Sequence, residues 1–263
     1  MENDRKLYRY MSYQSFTDLV QERSLCFVRP KLWEDPYEGY LFQKLKTESG
    51  QKVIRDLLDS QFASSFVRDL FFDLALEFER IFYAQSWSLC SDSDAMWRIY
   101  SFDNKAIRIE ISESSIAKLP NVEILNVSYE NHIDLLTELT RVGLGQNRTD
   151  FSEIFRIKRK AFAHEEEVRL IFKRNEAVNE KSDEEVAQFA KALTGTDLEG
   201  VLPEIVQKSR DTVRISYAHV PSFFDSICLH PQAPDWFNGT VKKYCETNGL
   251  PYIGKSKLYE NVV

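Results

Sequence analysis

The chain has 263 residues, 43% of them hydrophobic and 13% aromatic, which supplies a large core and excludes a disordered or fibrous protein. Its 34 Lys and Arg against 41 Asp and Glu give a net charge of -7, which argues against broad, non-specific attraction to nucleic-acid backbones. No segment approaches the roughly 20 apolar residues that span a bilayer, and the N-terminus lacks a signal-peptide core. We therefore expect a cytoplasmic protein without membrane contact.

Cysteine and histidine spacing gives no sign of a metal or redox site. The cysteines are far apart in the sequence, at Cys26, Cys90, Cys228 and Cys245. The histidines form no HExxH or related cluster, so we predict reduced thiols and no bound metal. With nine glycines, eight prolines and no flexible linker, the chain is predicted to form one domain over residues 1–263.

The first predicted elements are a strand at 7–11 and a helix capped by Ser15. A second strand at 25–30 ends at a proline, which cannot donate a ladder hydrogen bond. A loop with an Asp-Pro turn follows at 31–40. Apolar residues then recur at three- and four-residue spacing over about 51–82, which predicts a helical insertion, either one long helix or a hairpin of two.

Strands and helices continue to alternate through the middle of the chain. Period-two patterns predict strands at 83–90, 106–112 and 122–130. Helical spacing predicts helices at 95–101, 133–142 and 152–162. Three consecutive glutamates at 165–167 then lead into a strand at 168–172.

The last third contains a polar loop at 175–183 and a short amphipathic helix at 184–193. Strands are predicted at 212–220 and 226–231, a helix at 235–249, and a tail at 255–263 that closes a sheet edge. Because helices and strands mix without a regular βαβ rhythm, the predicted fold class is α+β rather than a doubly wound sheet.

Polar residues within otherwise apolar strands are the candidate site. The sequence has no glycine-rich phosphate loop, no GxSxG elbow and no kinase signature. What stands out instead is Arg9 in the first strand, Ser86 and Ser88 around a tryptophan, and Glu165 and Glu167 two residues apart. An arginine binds phosphate through forked donors, and a carboxylate stabilises developing positive charge.

This order suits chemistry on NAD+. When the bond from ribose to nicotinamide breaks, the sugar becomes an oxocarbenium-like cation. A nearby glutamate stabilises that charge, and a serine that donates to the glutamate holds it in position. The sequence also leaves a plainer interpretation open. Arg9 is then an exposed strand residue paired with an acid such as Asp4 or Glu22, and the glutamates form a solvated rim.

Four blocks of the sequence together resemble the bacterial family DUF2971, over most of residues 7–236. They are LYRYMSYQSFTDLVQERSLCFVRPKLWEDPYEG, SWSLCSDSDAMWRIYS, KRKAFAHEEEVRLIF and ICLHPQAPDWF. The same order is more remotely similar to that of ADP-ribosyltransferases, whose core is a split β-sandwich that grips NAD+ in a cleft. The resemblance implies that fold, with a helical insertion, and NAD+ as substrate.

The resemblance also implies roles for particular residues. Arg9 and Tyr10, Ser86 and Ser88 correspond to cofactor-binding positions, and Glu165 and Glu167 to the Glu-x-Glu motif, with Glu167 catalytic. Trp97 and Tyr100, in the MWRIY block, are candidates for the nicotinamide side of the cleft or else core packing. We expect Arg169 to hold Glu165, so that Glu167 remains free.

The leading hypothesis is an enzyme that cleaves NAD+ and transfers ADP-ribose to a macromolecular acceptor, a protein or a single-stranded nucleic acid. The resemblance implies a bacterial toxin or phage-defence effector, with an antitoxin or regulatory partner. One alternative is a non-catalytic module that binds a nucleotide or a protein. Another is a magnesium-dependent nuclease that uses Asp35, Glu38, Glu165 and Glu167.

Overall fold

The computed structural model describes residues 4–59, 72, 81–134, 138–139, 142, 151–174, 211–217 and 220–260. The predicted helix at 184–193, most of the predicted insertion at 51–82 and much of the predicted helix at 133–142 lie outside the described residues. Nothing in the structure tests the prediction of one domain over 1–263, which stays a prediction.

The described strands alternate with short helices. The strands are β1 (Lys6–Met11), β2 (Ser24–Val28), β3 (Phe82–Ser88), β4 (Ile107–Ser112), β5 (Val122–Asn126), β6 (Ser128–Glu130), β7 (Ile157–Arg159), β8 (Glu167–Lys173), β9 (Thr212–Ser216), β10 (Ser226–Leu229) and β11 (Tyr252–Lys255). The α-helices are α1 (Tyr13–Glu22), α2 (Tyr40–Leu45), α3 (Glu48–Asp59), α4 (Asp94–Tyr100), α5 (Glu113–Ile116), α6 (Val220–Phe223) and α7 (Asp235–Thr247). Short 3-10 helices span Pro30–Leu32, Phe151–Arg156 and Lys160–Glu165.

A large mixed sheet organises the described residues. Its main path runs β11-β10-β4-β1-β3-β2-β9, and β8 and β5 extend it from β3. The β10–β11 pair is parallel, whereas the other neighbours in this sheet are antiparallel. The α+β class is therefore confirmed, and the split-sandwich type stays a prediction.

The sheet opens along one edge of β3. Strand β8 pairs with β3 along its whole length, from Phe82 to Ser88, so β1 and β2 share the other edge. Strand β1 pairs with β3 only through Ser88, and β2 only through Ala84. Residues 85–87 therefore face a gap between β1 and β2, and this gap is the floor of the cleft described below.

Hydrophobic clusters pack on both faces of the sheet. One contains residues of α1 and α7 with the apolar face of β4, including Ile107, Ile109 and Ile111. The other contains residues of α2 and α3 with Ile171 of β8. Alternation along β8 produces this division, because Val168 belongs to the first cluster and Ile171 to the second. Burial on both faces fixes the register of the strand.

The prediction of a helix at 152–162 is wrong. The segment forms a 3-10 helix, then β7, then a second 3-10 helix, and β7 pairs in parallel with β6 in a small separate sheet. The helical spacing comes from Phe151, Ile154 and Phe155, which the first 3-10 helix buries in the second cluster. The strand predicted at 122–130 also divides, because β5 joins the large sheet and β6 the small one.

Two boundaries also differ from prediction. Ser12, rather than Ser15, caps α1, since its hydroxyl accepts the backbone N–H of Ser15 at 3.1 Å. The edge strand near the C-terminus is β11, which ends at Lys255, the first residue of the predicted tail at 255–263. Among the described residues, no helix is both long and apolar enough to cross a membrane.

Candidate functional site

A cleft of about 190 Å³ lies where β1 and β2 separate over β3. Strands β1, β2 and β3 supply most of its walls, and the glutamate segment before β8 closes one side. Its lining residues are Tyr8, Arg9, Tyr10, Cys26, Val28, Trp33, Ala84, Gln85, Ser86, Trp87, Ser88, Met96, Tyr100, Glu165 and Glu167. Most of the residues singled out in the sequence therefore line one cleft, although they are separated by up to about 160 positions in the chain.

Arg9 is the cation of the cleft, and its guanidinium is unpaired. The residue is half-buried, and no hydrogen bond or ion pair joins its guanidinium to another side chain within the described part of the chain. The predicted alternative, an exposed pair with Asp4 or Glu22, is not formed. Burial is the main reason that the pKa of Arg9 falls to about 10, so the group still carries its charge at neutral pH.

The two serines of β3 have different partners. The hydroxyl of Ser86 donates to Oε1 of Glu167 at 2.5 Å. The hydroxyl of Ser88 donates to the backbone carbonyl of Glu165 at 2.6 Å and accepts the backbone N–H of Cys90. Ser86 therefore orients a carboxylate, whereas Ser88 holds the backbone of the adjoining segment.

Glu167 begins β8 at the side of the cleft, and its side chain is almost fully buried. Besides Ser86, its Oε1 accepts from Nε of Arg169 at 2.8 Å, and its Oε2 accepts from Nζ of Lys158 at 2.7 Å. Burial alone would raise the pKa of Glu167, but Arg169 and Lys158 outweigh it and hold the pKa at about 2. Glu167 is therefore a carboxylate at neutral pH.

The prediction that Arg169 holds Glu165 and leaves Glu167 free is wrong. Arg169 contacts Glu167 rather than Glu165, so Glu167 is not free of cations. Lys158 holds Glu165 instead, at 2.7 Å from Oε2. The physical reason is the backbone at Glu166, which adopts a left-handed conformation with φ 43°, so the strand starts only at Glu167 and Glu165 is not in register with Arg169.

The loop before α2 contributes a third acid to this group. Glu38 is buried and contacts Arg169 at 2.8 Å and Lys158 at 3.2 Å. The Arg169 guanidinium also lies over the ring of Trp33, 4.3 Å from the ring centroid. Burial raises the pKa of Glu38, and attraction to Arg169 and Lys158 offsets only part of that rise. We call Glu38, Glu165, Glu167, Lys158 and Arg169 the charge cluster.

The small sheet places two residues beside Glu167 that were not predicted from the sequence. Tyr129 of β6 and Lys158 of β7 are opposite each other in the parallel ladder. The Tyr129 hydroxyl accepts the backbone N–H of Glu167 at 2.6 Å, while Lys158 binds the carboxylate of the same residue. The available signal was the alternation of Ile157 and Lys158, which the helical spacing of the preceding residues concealed.

The aromatic candidates do not all reach the cleft. Tyr10 and Tyr100 line it, with ring centroids 6.2 Å apart in a stacked arrangement. Trp97 is fully buried behind Tyr10, at 4.8 Å edge-to-face, and its indole N–H donates to Asp92 at 2.6 Å. The structure therefore places Trp97 in the packing role that was the alternative interpretation.

The carboxylates of the proposed nuclease site are already paired with cations. Among the described residues, no group of three or more His, Cys, Asp or Glu is placed to hold a metal ion. Lys158 lies between three of those acids, and Asp35 pairs with Arg159 at 3.0 Å in a separate contact. A buried ammonium at the centre of the acids does not favour a divalent cation there.

Comparisons with known proteins give one distant likeness. No family model matches the chain, so the resemblance to DUF2971 stays a prediction. No curated protein matches it. Two solved structures of DarT from Thermus sp. 2.9 match, each with a TM-score of 0.35 and 9% identity. The match to the complex with NAD+ covers 97% of this chain and 96% of that chain. The match to the complex with carba-NAD+ covers 98% of each chain. A likeness this weak decides neither fold nor activity.

Proposed function

We propose that this chain cleaves NAD+ at the bond between ribose and nicotinamide and transfers ADP-ribose to a macromolecular acceptor. One observation carries the proposal. The guanidinium of Arg9, which has no side-chain partner among the described residues, and the ionised carboxylate of Glu167, which Ser86 orients, line the same cleft. A guanidinium can bind the pyrophosphate of a dinucleotide, and a carboxylate can stabilise the positive charge that develops when an N-glycosidic bond breaks.

The charge cluster is suited to a cationic transition state. Its three carboxylates and two cations sum formally to a charge of -1. The cluster is buried, so solvent screens this charge less than it would at the surface. In NAD+ the positive charge is on the nicotinamide ring, and cleavage moves it to the ribose. A charge that develops on the ribose beside Glu167 is therefore stabilised more in the transition state than in the ground state.

The proposed reaction moves one electron pair at each step. The bond from ribose C1′ to the nicotinamide nitrogen breaks, and its electron pair leaves with the nicotinamide, which becomes neutral. The ribose becomes an oxocarbenium-like cation that Glu167 stabilises. A nucleophilic atom of the acceptor then bonds to C1′ and loses its proton, and water in place of the acceptor gives free ADP-ribose.

The size of the cleft suits part of the dinucleotide. At about 190 Å³ it is smaller than most small-molecule sites, which measure roughly 300–1,000 Å³. Because Glu167 lies inside the cleft, we assign it the end of NAD+ that carries the scissile bond. Arg9 would bind a phosphate or ribose oxygen. Tyr100, whose ring stacks on the buried ring of Tyr10, would contact the nicotinamide side.

The test is nicotinamide release by purified protein, measured for the wild type and for Glu167→Gln. Glutamine keeps the shape of the side chain but not its charge, so we expect release to fall by about 100-fold or more, as when an electrostatic stabiliser is lost. Glu166→Gln is the matched control, since Glu166 is the exposed neighbour in the sequence and we expect wild-type release. Circular dichroism of each variant checks folding.

Each outcome points to a particular function. Equal release by the wild type and Glu167→Gln contradicts the proposed mechanism. Calorimetric binding of NAD+ or ADP-ribose without any nicotinamide release identifies a non-catalytic nucleotide-binding module instead. The acceptor, a protein or a single-stranded nucleic acid, stays a prediction, as do the roles in toxicity or phage defence. Labelled NAD+ incubated with separated protein and nucleic-acid fractions tests the acceptor.

A further inference from the structure

We propose that Lys158 is the positioning residue of this cleft, whose ammonium fixes the carboxylates of Glu165 and Glu167 in one arrangement and keeps Glu167 ready to act. The proposal rests on the proposed NAD+ cleavage and extends it to a residue outside the Arg, Ser and Glu pattern. Lys158 is not among the residues that line the cleft, so it acts through its contact with Glu167.

The geometry gives Lys158 a contact that no other described cation duplicates. The two oxygens of Glu167 are held separately: Oε1 accepts from Ser86 and from Nε of Arg169, while Oε2 accepts from Lys158 at 2.7 Å. The remaining approach to Oε2 is Nη2 of Arg169, at a long 3.4 Å. Without Lys158, Oε2 loses its short hydrogen bond and the carboxylate gains freedom to rotate or to bind a proton.

Three carboxylates surround the ammonium of Lys158. Its Nζ donates hydrogen bonds to Glu165 and Glu167 at 2.7 Å each, and it forms an ion pair with Glu38 at 3.2 Å. A buried lysine is costly unless it is paired in this way. Burial alone would lower the pKa of Lys158, but Glu167 and Glu38 outweigh it and raise the pKa above its ordinary value.

Several titratable groups from different elements face or influence Glu167. They are Lys158 on β7, Arg169 on β8, Glu165 in the preceding 3-10 helix, Glu38 before α2, Tyr129 on β6 and Tyr100 on α4. At neutral pH the two cations offset most of the negative charge. Removing Lys158 changes the sum of the charge cluster from -1 to -2 and also removes the short hydrogen bond to Oε2 of Glu167. Both changes let Glu167 bind a proton more readily, and the second one depends on the position of Lys158.

The first experiment is the pH profile of nicotinamide release for the wild type, Lys158→Met and Lys158→Arg. We expect a flat wild-type profile from about pH 5 to 8, because Glu167 stays ionised there. In Lys158→Met, kcat at pH 7 falls by about 10- to 100-fold with little change in KM, as expected for a lost hydrogen bond to a charged group. An acid limb appears above about pH 5, because the missing cation lets the pKa rise. Lys158→Arg is expected to restore the flat profile.

Lys160→Met is the matched control. Lys160 is exposed and is two residues from Lys158. Its replacement by methionine removes the same charge but leaves every residue of the charge cluster in place. We expect a wild-type profile. A Lys158→Met variant with wild-type kcat and no acid limb overturns the proposal, and so does an acid limb of equal size in Lys160→Met.

The double variant Lys158→Met with Glu38→Gln distinguishes the loss of the Lys158 contact from misfolding of the chain. It returns the formal sum of the charge cluster to -1 but leaves Oε2 of Glu167 without its ammonium partner. We expect it to be more stable than Lys158→Met and still to show the acid limb. If the double variant recovers the flat profile, total charge alone matters, and the positional role of Lys158 is refuted.

A titration separates this proposal from the proposed activity. Side-chain carboxyl carbons of glutamate, labelled with ¹³C, report the protonation of Glu167 directly when its signal is assigned with Glu167→Gln. We expect the titration of Glu167 to move to higher pH in Lys158→Met and not in Lys160→Met. This readout holds even for a protein that releases no nicotinamide, and an unmoved titration overturns the role of Lys158.

Discussion

Replacing Arg9 with methionine gives the clearest test of why the cleft contains an unpaired cation. Burial lowers the pKa of Arg9 from its ordinary value to about 10. A tenfold change in proton affinity corresponds to about 1.4 kcal/mol, and the fall amounts to between two and three such steps, so the charged guanidinium costs the folded chain at most about 3.5 kcal/mol. Arg9 keeps some contact with solvent, and we discount that figure to about 1–2 kcal/mol.

Methionine keeps an unbranched apolar stem, although it is shorter than arginine, and removes the charge. We therefore expect Arg9→Met to be more stable than the wild type, with a melting temperature higher by about 2–8 °C for a chain of this size. The same change removes the partner of an anionic ligand. We expect ADP-ribose to bind about 10- to 100-fold more weakly, because a hydrogen bond to a charged group contributes about this much to affinity.

Thermal unfolding and calorimetric titration with ADP-ribose measure the two effects on the same samples. Arg214→Met is the control, because it breaks an exposed pair with Asp18, with side chains 41% and 48% exposed. Such a pair is worth at most about 1 kcal/mol, so we expect slightly lower stability and unchanged binding. If Arg9→Met melts below the wild type and binds ADP-ribose equally well, Arg9 is a structural residue and the argument from its unpaired charge fails.

Two further predictions concern Glu167 and its partner. Ser86→Ala removes a donor to Oε1 of Glu167, so we expect nicotinamide release to slow by about 10-fold with unchanged KM. Ser88→Ala removes hydrogen bonds to the backbone carbonyl of Glu165 and the backbone N–H of Cys90, so we expect it mainly to lower the melting temperature. The pKa of Glu167 is about 2 in the folded chain, well below the ordinary value of a glutamate, because Arg169 and Lys158 outweigh the effect of burial. Its contribution to stability is therefore complete above about pH 5 and is lost as the pH falls towards 2. Urea unfolding from pH 7 to 3 is expected to show a smaller loss of stability for Glu167→Gln, and an equal loss contradicts the assignment of that pKa.

Alternating sequence predicted several strands of the large sheet. Strand β4 alternates isoleucine with polar residues, and β8 alternates Val168, Leu170 and Phe172 with a face that contains charged residues, so period-two patterns located both. The order of Arg9, the serines and Glu167 along the chain also predicted residues that the fold brings to one cleft. These predictions depend on local pattern and chain order, which sequence contains directly.

Pairing between charges was not predictable in the same way. The expected Arg169–Glu165 contact assumed an extended chain through 165–167, but the left-handed backbone at Glu166 interrupts it. Lys158 was missed because the apolar spacing before it indicated a helix, whereas β7 forms only through its ladder with β6. Both outcomes depend on long-range contacts, which override local preference.

The register between β3 and β8 is what turns these separate residues into one arrangement. Ser86 is opposite Arg169, and Ser88 is opposite Glu167, so the Ser86 hydroxyl and the Arg169 guanidinium reach the same oxygen of Glu167. Because side chains alternate between faces, a slip of one residue would turn Trp87 towards the charge cluster and Ser86 away from it. The apolar clusters on both faces of β8 oppose that slip. The position of the proposed catalytic carboxylate therefore depends on hydrophobic packing along the whole ladder as well as on its own hydrogen bonds.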